Sequence, residues 1–381
     1  MDVSAVAREF PPSVRTAACA YYLRVPQRSE NLTDVYRMHV GAFGELVGTD
    51  GAATTAARKV RQHMDRDREM RACSTGHEAS LPYSNPYGYI NNITDSTTNR
   101  GQMVYAITGA SGQLGRRAAE SLMERVDPSQ VVLLTRTPSL LQEFADRGAA
   151  VRAADFADAD GLRTALRGVE RLLLISVDAF GARLEKHRTA IDAAKAAGVA
   201  HVLYTSVPNP VDGNPAVVVP DHKGTEEYLA ASGLGWTLLR NNIYAEVPLR
   251  DLHEAMNTGR LVTNAGDGGT AYVTRDDCAA AAVGALVSAG DDAAVEVSGL
   301  TAYTPYDLAR IAAAKIGSEV EVVQVDDAAY TASLIGAGLP HSLAELLSAF
   351  GASAREGYLD TITTAVQDLA GYAPTPLETL V

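Results

Sequence analysis

The chain has 381 residues, of which 46% are hydrophobic and 21% charged, proportions that are typical of a globular protein. This length predicts one large domain or two ordinary ones. The net charge of −13 is uneven, because residues 1–102 carry 12 Lys and Arg against 11 Asp and Glu, which leaves 21 against 35 for the rest. An acidic body argues against duplex DNA as a partner, since Lys and Arg contacts to phosphates dominate such binding.

No apolar segment is long enough to cross a bilayer, so no membrane insertion is predicted. The first 20 residues contain Arg8, Glu9, Pro11 and Pro12 where a signal peptide would need an apolar stretch, and we therefore expect a cytoplasmic location. Three cysteines do not make a disulfide framework, and no Cys/His cluster has the spacing of zinc ligands. No metal site is predicted.

Residues 1–102 lack the pattern of a sheet. Helices are predicted at 32–47 and 52–70, and residues 79–102 are predicted to form a linker because they are rich in turn-forming residues. Met103 stands directly before the first predicted strand. Two interpretations stay open: translation naturally begins at Met103 and the leader is not native, or the leader is a small helical or disordered arm that binds a partner.

A glycine-rich turn follows the apolar run that opens at Met103. It reads Thr108-Gly109-Ala110-Ser111-Gly112-Gln113-Leu114-Gly115, and from Gln113 onward the apolar spacing is helical. A strand, a glycine turn and a helix in this order predict a dinucleotide site, in which backbone amides approach a pyrophosphate and the helix N-terminus faces the phosphates.

The end of the second predicted strand indicates which dinucleotide is bound. This position usually holds Asp or Glu for the ribose hydroxyls of NAD, but Thr135 and Arg136 stand here. An arginine suits the charge of a 2′-phosphate, so the sequence favours NADPH, with NADH binding more weakly. The alternative is that Arg136 is only a solvated loop cation.

After Met103, apolar strands alternate with helical segments. The predicted strands are 104–108, 131–135, 150–153, 171–176, 200–206 and 235–239. This order predicts an α/β fold with a doubly wound parallel sheet, the Rossmann fold. The uninterrupted apolar run from Leu172 to Ile175 is typical of a central strand that is buried on both faces.

Beyond Arg240 the pattern becomes looser. Helices are predicted at 276–289, 304–316, 326–336 and 340–350, and strands at 270–274, 294–297 and 320–325. We interpret them as a smaller C-terminal α/β lobe on the substrate side. The expected organisation is a leader and linker (1–102), an NADP-binding Rossmann domain (103–240) and the substrate lobe (241–381).

Several separated motifs resemble one family. They are the turn at 108–115, Leu172-Leu-Leu-Ile-Ser176, His187-Arg188, Ala193-Ala-Lys-Ala-Ala-Gly-Val199, Tyr204-Thr-Ser206 and Thr237-Leu-Leu-Arg-Asn241 with Tyr244. Together they resemble the NmrA-like group of atypical short-chain dehydrogenases/reductases, and within it the type 2 NAD(P)H:quinone oxidoreductases. The resemblance covers about residues 103–375. It implies a Rossmann domain, NADPH as the reductant and quinones as acceptors.

The resemblance also implies roles for individual residues. It would place Gly109, Ala110, Ser111, Gly112, Gln113, Leu114 and Gly115 along the pyrophosphate and Arg136 at the 2′-phosphate. Ser176 and Val177 would lie on the ribose and nicotinamide side, Asp155 near adenine and Ser206 below the nicotinamide. Asn241 and Tyr244 would frame the substrate mouth. The alternative for Ser206 is a hydroxyl that only caps local backbone.

The chain lacks the Tyr-x-x-x-Lys pair of ordinary short-chain dehydrogenases and reads Asp221-His222-Lys223 instead. Quinone reduction tolerates this loss, because the acceptor is already electrophilic and the cofactor supplies the chemistry. His222 is the candidate proton donor or polar contact, with a helix-terminal structural role as the alternative. His187, at the start of an Ala-rich helix, is interpreted as structural.

The sequence therefore predicts an NADPH-dependent oxidoreductase that transfers a hydride to quinones without flavin. Another activated double bond as acceptor stays open. The rival hypothesis is an NmrA-like regulator that senses dinucleotides without turnover. The sequence is compatible with a homo-oligomer.

Overall fold

The computed structural model describes residues 103–178, 181–288, 290 and 292–381. The helices predicted at 32–47 and 52–70 and the linker at 79–102 lie outside the described residues. In the described part, no helix is long and apolar enough to span a membrane.

A seven-stranded parallel sheet forms the centre of the fold. Its strands, in chain order, are β1 (Tyr105–Ile107), β2 (Val131–Thr135), β3 (Ala150–Ala153), β4 (Arg171–Leu174), β5 (His201–Ser206), β6 (Gly235–Asn241) and β8 (Ala293–Val297). The spatial order is β3-β2-β1-β4-β5-β6-β8. The chain therefore winds outward from β1 in one direction and then returns to continue from β4 in the other. This doubly wound topology confirms the predicted fold class. It places a ligand crevice at the carboxyl ends of β1 and β4, where the connections that follow the two strands run in opposite directions.

Helices cover both faces of the sheet. On one face pack α1 (Gln113–Met123), α2 (Gln142–Asp146), α7 (Arg275–Val287) and α11 (Ala365–Ala370). On the other face pack α3 (Ala159–Ala165), α4 (Arg183–Ala197) and α5 (Val219–Ala230). Leu172 and Leu174 join the second core and Leu173 joins the first, and all three side chains are fully buried. β4 is thus the central strand that its apolar run predicted.

Two elements assigned to the C-terminal lobe belong instead to the main sheet layer. Residues 294–297 form most of β8, which pairs with β6, and α7 packs against α1. The strand predicted at 270–274 is also wrong: this segment makes only isolated bridges, Thr270 with Tyr303 and Val273 with Tyr244. Hydrophobic pattern reports that a segment is buried, but it does not report which sheet supplies its partner.

A smaller unit of structure follows the loop after β6. It contains α6 (Leu249–Thr258), α8 (Pro305–Ile316), α9 (Asp327–Gly336), α10 (His341–Arg355) and a two-stranded parallel sheet of β7 (Arg260–Thr263) and β9 (Glu321–Gln324). The helices predicted at 304–316, 326–336 and 340–350 are confirmed, whereas β7 was not predicted. Separate apolar clusters hold this unit together, one around Leu252 and Leu308 and another around Tyr330 and Leu334.

Candidate dinucleotide site

Three glycines shape the turn between β1 and α1. Gly109 has a φ of +60°, a left-handed conformation that favours glycine. A Cβ atom at Gly115 would overlap the Gly109 carbonyl oxygen and the Ala110 Cα atom, so the helix can approach the turn only with glycine there. At Gly112, a Cβ atom would lie 3.2 Å from the same carbonyl oxygen. These constraints are those of a phosphate-binding turn, in which close packing brings backbone to the ligand.

The first turn of α1 presents unpaired backbone N–H groups. Its N-cap residue, Gly112, provides no side-chain cap, and the turn contains no acidic residue. The first intrahelical bond is donated by the Arg116 amide to the Gly112 carbonyl at 2.9 Å. The amides of residues 113–115 precede it and so have no acceptor inside the helix. This end of α1 is therefore suited to an anion.

Two predicted contact residues in this turn have their amides already engaged, since the Gly112 N–H donates to the Gly109 carbonyl at 2.9 Å. The Ala110 N–H donates to the Leu134 carbonyl at 3.1 Å. The side chains of Ala110 and Leu114 are buried in the core under the turn. Leu114 can thus reach a phosphate only through its backbone, and Ala110 anchors the turn to β2.

Arg136 follows β2 at the same edge of the sheet. Its side chain is exposed and has no hydrogen bond or ion pair within the described residues. Arg116, which lies in the first turns of α1, is in contrast paired with Glu143 and with the Leu140 carbonyl. The preceding Thr135 is joined to Ser111 of the glycine turn by a 2.8 Å hydrogen bond between their hydroxyls. Arg136 therefore leaves its charge available beside the anion site.

The segment of residues 175–177, which we call the β4 end loop, is fixed in another way. Each of its three amides donates to a side chain from a different element. The bonds are Ile175 to Thr108 Oγ1 at 2.9 Å, Ser176 to Thr205 Oγ1 at 2.9 Å and Val177 to His187 Nε2 at 3.1 Å. The Val177 carbonyl accepts from Arg183 Nε at 2.8 Å. The β4 end loop is thus held rigidly although it lies beyond the strand ladder.

Polar atoms without partners collect at the ends of β5 and β6. Ser206 is 5% exposed and Asn241 is 6% exposed. Within the described residues, neither the Ser206 Oγ atom nor the two amide atoms of Asn241 have a hydrogen bond of normal geometry. Buried polar groups are nearly always paired, so a cluster of unpaired ones indicates a ligand-binding position. Both residues were predicted site residues, and the sheet brings them to one edge.

Tyr244 lies close to Asn241 after β6. The Arg275 guanidinium lies over its ring, 4.5 Å from the ring centre. Burial raises the pKa of Tyr244, and the neighbouring Cys278 adds to this, while the Asn241 amide lowers it. The phenol therefore keeps its proton at neutral pH and can act as a hydrogen-bond donor.

His222 lies in the first turn of α5, where its side chain is buried. Its side chain is 4% exposed, and its Nδ1 atom lies 2.7 Å from the Tyr204 hydroxyl. Burial lowers its pKa well below the ordinary value, and Arg183 and His187 add to this. His222 is therefore neutral at physiological pH and is held in a polar cluster between α4, α5 and β5.

Asp155 is exposed after β3, where its carboxylate accepts from the Ala157 amide at 2.9 Å. It orders its own loop at the predicted edge of the sheet. The described residues contain no group of three or more His, Cys, Asp or Glu side chains arranged to hold a metal ion.

The sequence predicted a structural role for His187 but not that His187, Thr108 and Thr205 fix the β4 end loop. Thr108 and Thr205 stand at the ends of apolar strands, and a hydroxyl at such a position is the available signal, because it can accept from backbone beyond a strand. His187 and Arg183 lie four residues apart and so share one face of α4. That spacing was readable, but the backbone that they bind was not.

The fold and this site define a dinucleotide-binding α/β protein. A family described as NAD(P)H-binding matches residues 109–289. Quinone oxidoreductase 2 of Escherichia coli K12 is 41% identical over 273 residues, which are 71% of this chain and 95% of that protein. Its crystal structure in complex with NADPH matches with a TM-score of 0.70 and covers 73% of this chain and 98% of that one.

An NmrA-like family domain-containing oxidoreductase of Aspergillus flavus is 29% identical and aligns with 72% of this chain and 92% of that protein. The chain belongs to the NmrA-like family of NAD(P)H-binding atypical short-chain dehydrogenases/reductases.

Proposed function

We propose that this protein is an NADPH-dependent oxidoreductase that reduces quinones by direct hydride transfer. The observation that carries the proposal is the set of unpaired N–H groups at the start of α1 beside the unpaired charge of Arg136. The first suits a pyrophosphate and the second a 2′-phosphate. The similarity to Escherichia coli quinone oxidoreductase 2 supports both the cofactor and the acceptor.

The edge formed by β5 and β6 offers the groups that would face the reacting rings. Ser206 would contact the nicotinamide side, and the Asn241 amide would donate to a quinone oxygen, whose negative charge grows during reduction. The Tyr244 hydroxyl lies close to that amide and would orient it. These roles give a partner to the Ser206 hydroxyl and a well-aligned one to the Asn241 amide, neither of which has a hydrogen bond of normal geometry within the described part of the chain.

When bound, NADPH supplies a hydride, so that the quinone gains two electrons and one proton and NADP⁺ is left. The second proton of the hydroquinone would come from water. His222 is a poor source, because it is buried, bonded to Tyr204 and kept neutral by its surroundings. We therefore assign His222 to the support of the site rather than to proton donation.

The remaining assignments follow from position at the same sheet edge. Gly109, Ser111, Gln113, Leu114 and Gly115 would bind the pyrophosphate through backbone, Gly112 would let the phosphates approach closely because it has no side chain, and Asp155 would lie near the adenine. Ser176 and Val177 of the β4 end loop would face the ribose and nicotinamide.

The decisive experiment mixes purified, flavin-free protein with NADPH and benzoquinone and follows NADPH absorbance. Oxidation over many turnovers supports the reductase. Tight NADPH binding without oxidation by any of a panel of quinones would favour the dinucleotide-sensing regulator instead. Absence of binding to either pyridine nucleotide would contradict both functions.

We also propose that residues 103–381 bind NADPH on their own, with residues 103–240 supplying most cofactor contacts. A chain that begins at Met103 should have the same NADPH dissociation constant as the full chain when both are titrated side by side. Loss of soluble protein or of affinity in the shortened chain would contradict this division.

A further inference from the structure

The backbone N–H and C=O groups of Val177 are both bound by side chains on one face of α4. His187 accepts from its N–H at 3.1 Å, and Arg183 donates to its C=O at 2.8 Å. Both side chains are nearly inaccessible, with exposures of 0% for His187 and 5% for Arg183. Because the two peptide units that flank Val177 are each bound by a fixed side chain, the backbone at this residue has little freedom to rotate.

The two helical side chains are themselves held by α5. Arg183 lies 3.7 Å from the Asp221 carboxylate, and His187 Nδ1 lies 3.0 Å from the Thr225 hydroxyl. Positions 221 and 225 are one helical turn apart, as are 183 and 187. The His187 ring also makes edge contacts with Phe156 and Tyr204. The imidazole therefore has one orientation.

Hydrogen-bond logic assigns the protons of this imidazole. A backbone N–H can only donate, so Nε2 of His187 must carry a lone pair. The Thr225 hydroxyl donates its single proton to the Asp221 carbonyl at 2.7 Å. It must then accept from His187, which places the imidazole proton on Nδ1. Charging the ring would make Nε2 a donor and would break the bond to Val177.

We propose that His187 is a positioning residue which, as the Nδ1-protonated neutral imidazole, fixes the backbone of Val177 as a wall for the nicotinamide ribose of NADPH. The proposal rests on the NADPH site of the proposed function. Its electrostatics agree, since burial lowers the pKa of His187 to about 3 and the nearby Arg183 adds to this. The neutral form therefore persists throughout the pH range in which the protein would work.

The strand order places the β4 end loop beside the expected cofactor position. β4 lies next to β1 in the sheet, and the crevice for a dinucleotide opens at the carboxyl ends of these two strands. The β4 end loop is the extension of β4 into that crevice. A wall that moves by about 1 Å changes the position of the reacting carbon and costs rate as well as affinity.

Two substitutions separate positioning from simple packing. His187→Leu fills a similar volume but leaves the Val177 N–H without an acceptor. His187→Gln keeps an acceptor that can reach the position of Nε2. We expect the leucine variant to lose about tenfold in NADPH affinity and in kcat, while the glutamine variant stays within about threefold of the wild type. The KM for quinone at saturating NADPH should change little.

His201→Leu is the matched control. This histidine also bonds a threonine, with 2.9 Å between Nε2 and the Thr237 hydroxyl. It is, however, the first residue of β5 and so lies at the amino-terminal ends of the strands, away from the cofactor crevice. Its replacement should leave NADPH affinity and kcat unchanged. An equal loss in the His187→Leu and His201→Leu variants would point to general destabilisation and contradict the proposal.

A measurement on the protein without cofactor tests the tautomer directly. Nitrogen-15 NMR of the imidazoles should give a protonated Nδ1 and an unprotonated Nε2 for His187 from pH 5 to 8. The opposite tautomer, or leucine and glutamine variants that both match the wild type, would overturn the proposal. If the leucine variant does not fold, the tautomer and the glutamine variant still decide. If the wild type binds NADPH but reduces no quinone, the proposed function fails, while the affinity and NMR measurements stand.

Discussion

The loops after β1 and β4 follow neighbouring strands at the carboxyl end of the sheet, yet their backbone amides differ in hydrogen bonding. The glycine turn leaves the amides of residues 113–115 without acceptors in the helix. In the β4 end loop, every amide of residues 175–177 donates a hydrogen bond to a side chain. A loop that binds an anion must keep its donors free, whereas a loop that serves as a wall is stiffer when its donors are satisfied.

The two loops should therefore fail differently. Changes in the glycine turn should remove affinity without moving the reacting rings. Changes behind the β4 end loop should alter alignment and acid sensitivity. The following substitutions and conditions separate these outcomes.

Gly115→Ala should have the largest effect, because its Cβ atom would overlap backbone atoms of Gly109 and Ala110, which cannot move aside as the end of a flexible side chain can. We expect about a 100-fold loss of NADPH affinity, at the upper end of the cost of overpacking. Isothermal titration measures it. Gly336→Ala is the control, because no atom lies within 4 Å of a Cβ at that position. Unchanged affinity in Gly115→Ala would show that the turn does not bind the phosphates.

Arg136→Asp should come next. A hydrogen bond to a charged group contributes about 1.5–3 kcal/mol, so we expect about a 10- to 100-fold loss of NADPH affinity and a much smaller change for NADH. Arg167→Asp makes the same charge change at an exposed position just before β4, at the far edge of the sheet, and should alter neither. Equal losses for the two nucleotides in Arg136→Asp would mean that this arginine does not contact the 2′-phosphate.

Acid should lower the stability of the fold, because the histidines behind the β4 end loop stay neutral in the folded protein and take up protons only when it unfolds. Burial lowers the pKa values of His187 and His222, so below pH 6.5 the unfolded chain binds protons that the folded chain does not. The free energy of unfolding should then fall as the pH drops from about 6.5 toward 5, by up to about 1.4 kcal/mol per pH unit for each histidine. Urea denaturation across this range measures the slope. The His187→Gln variant should have a smaller slope, and an identical one would remove His187 from this explanation.

Ser206→Ala should have the smallest effect and an unusual signature. Because its hydroxyl is buried with no partner in the described residues, removing it should leave the melting temperature unchanged or slightly higher. Loss of one neutral hydrogen bond to the ligand should lower kcat/KM for NADPH by about 2- to 10-fold. A fall in melting temperature with unchanged kinetics would identify the serine as a structural residue.

The two loops also explain how far sequence reasoning reached. The glycine turn was readable because its function depends on local features: a strand, three glycines at fixed spacing and a helix with no acid in its first turn. All seven strands of the main sheet and the doubly wound order followed from apolar periodicity, although the last strand was assigned to the C-terminal lobe. The hydrogen bonds of the β4 end loop could not be predicted, because their acceptors come from other elements. Thr108 lies 67 residues from its partner along the chain, Thr205 lies 29 and His187 lies 10.

By itself, the sequence determined the fold class, the position of the glycine turn and the presence of an arginine instead of an acid after β2, since each depends on neighbouring residues or on a period that one element carries alone. Only the tertiary structure decided that β8 completes the main sheet and that His222 is buried. It also decided that Ser206 and Asn241 lie together at the carboxyl ends of β5 and β6 and that side chains of α4 bind the backbone N–H and C=O of Val177. The physical reason is that burial and hydrogen-bond partnership are properties of pairs of elements, and a linear pattern records only one member of each pair.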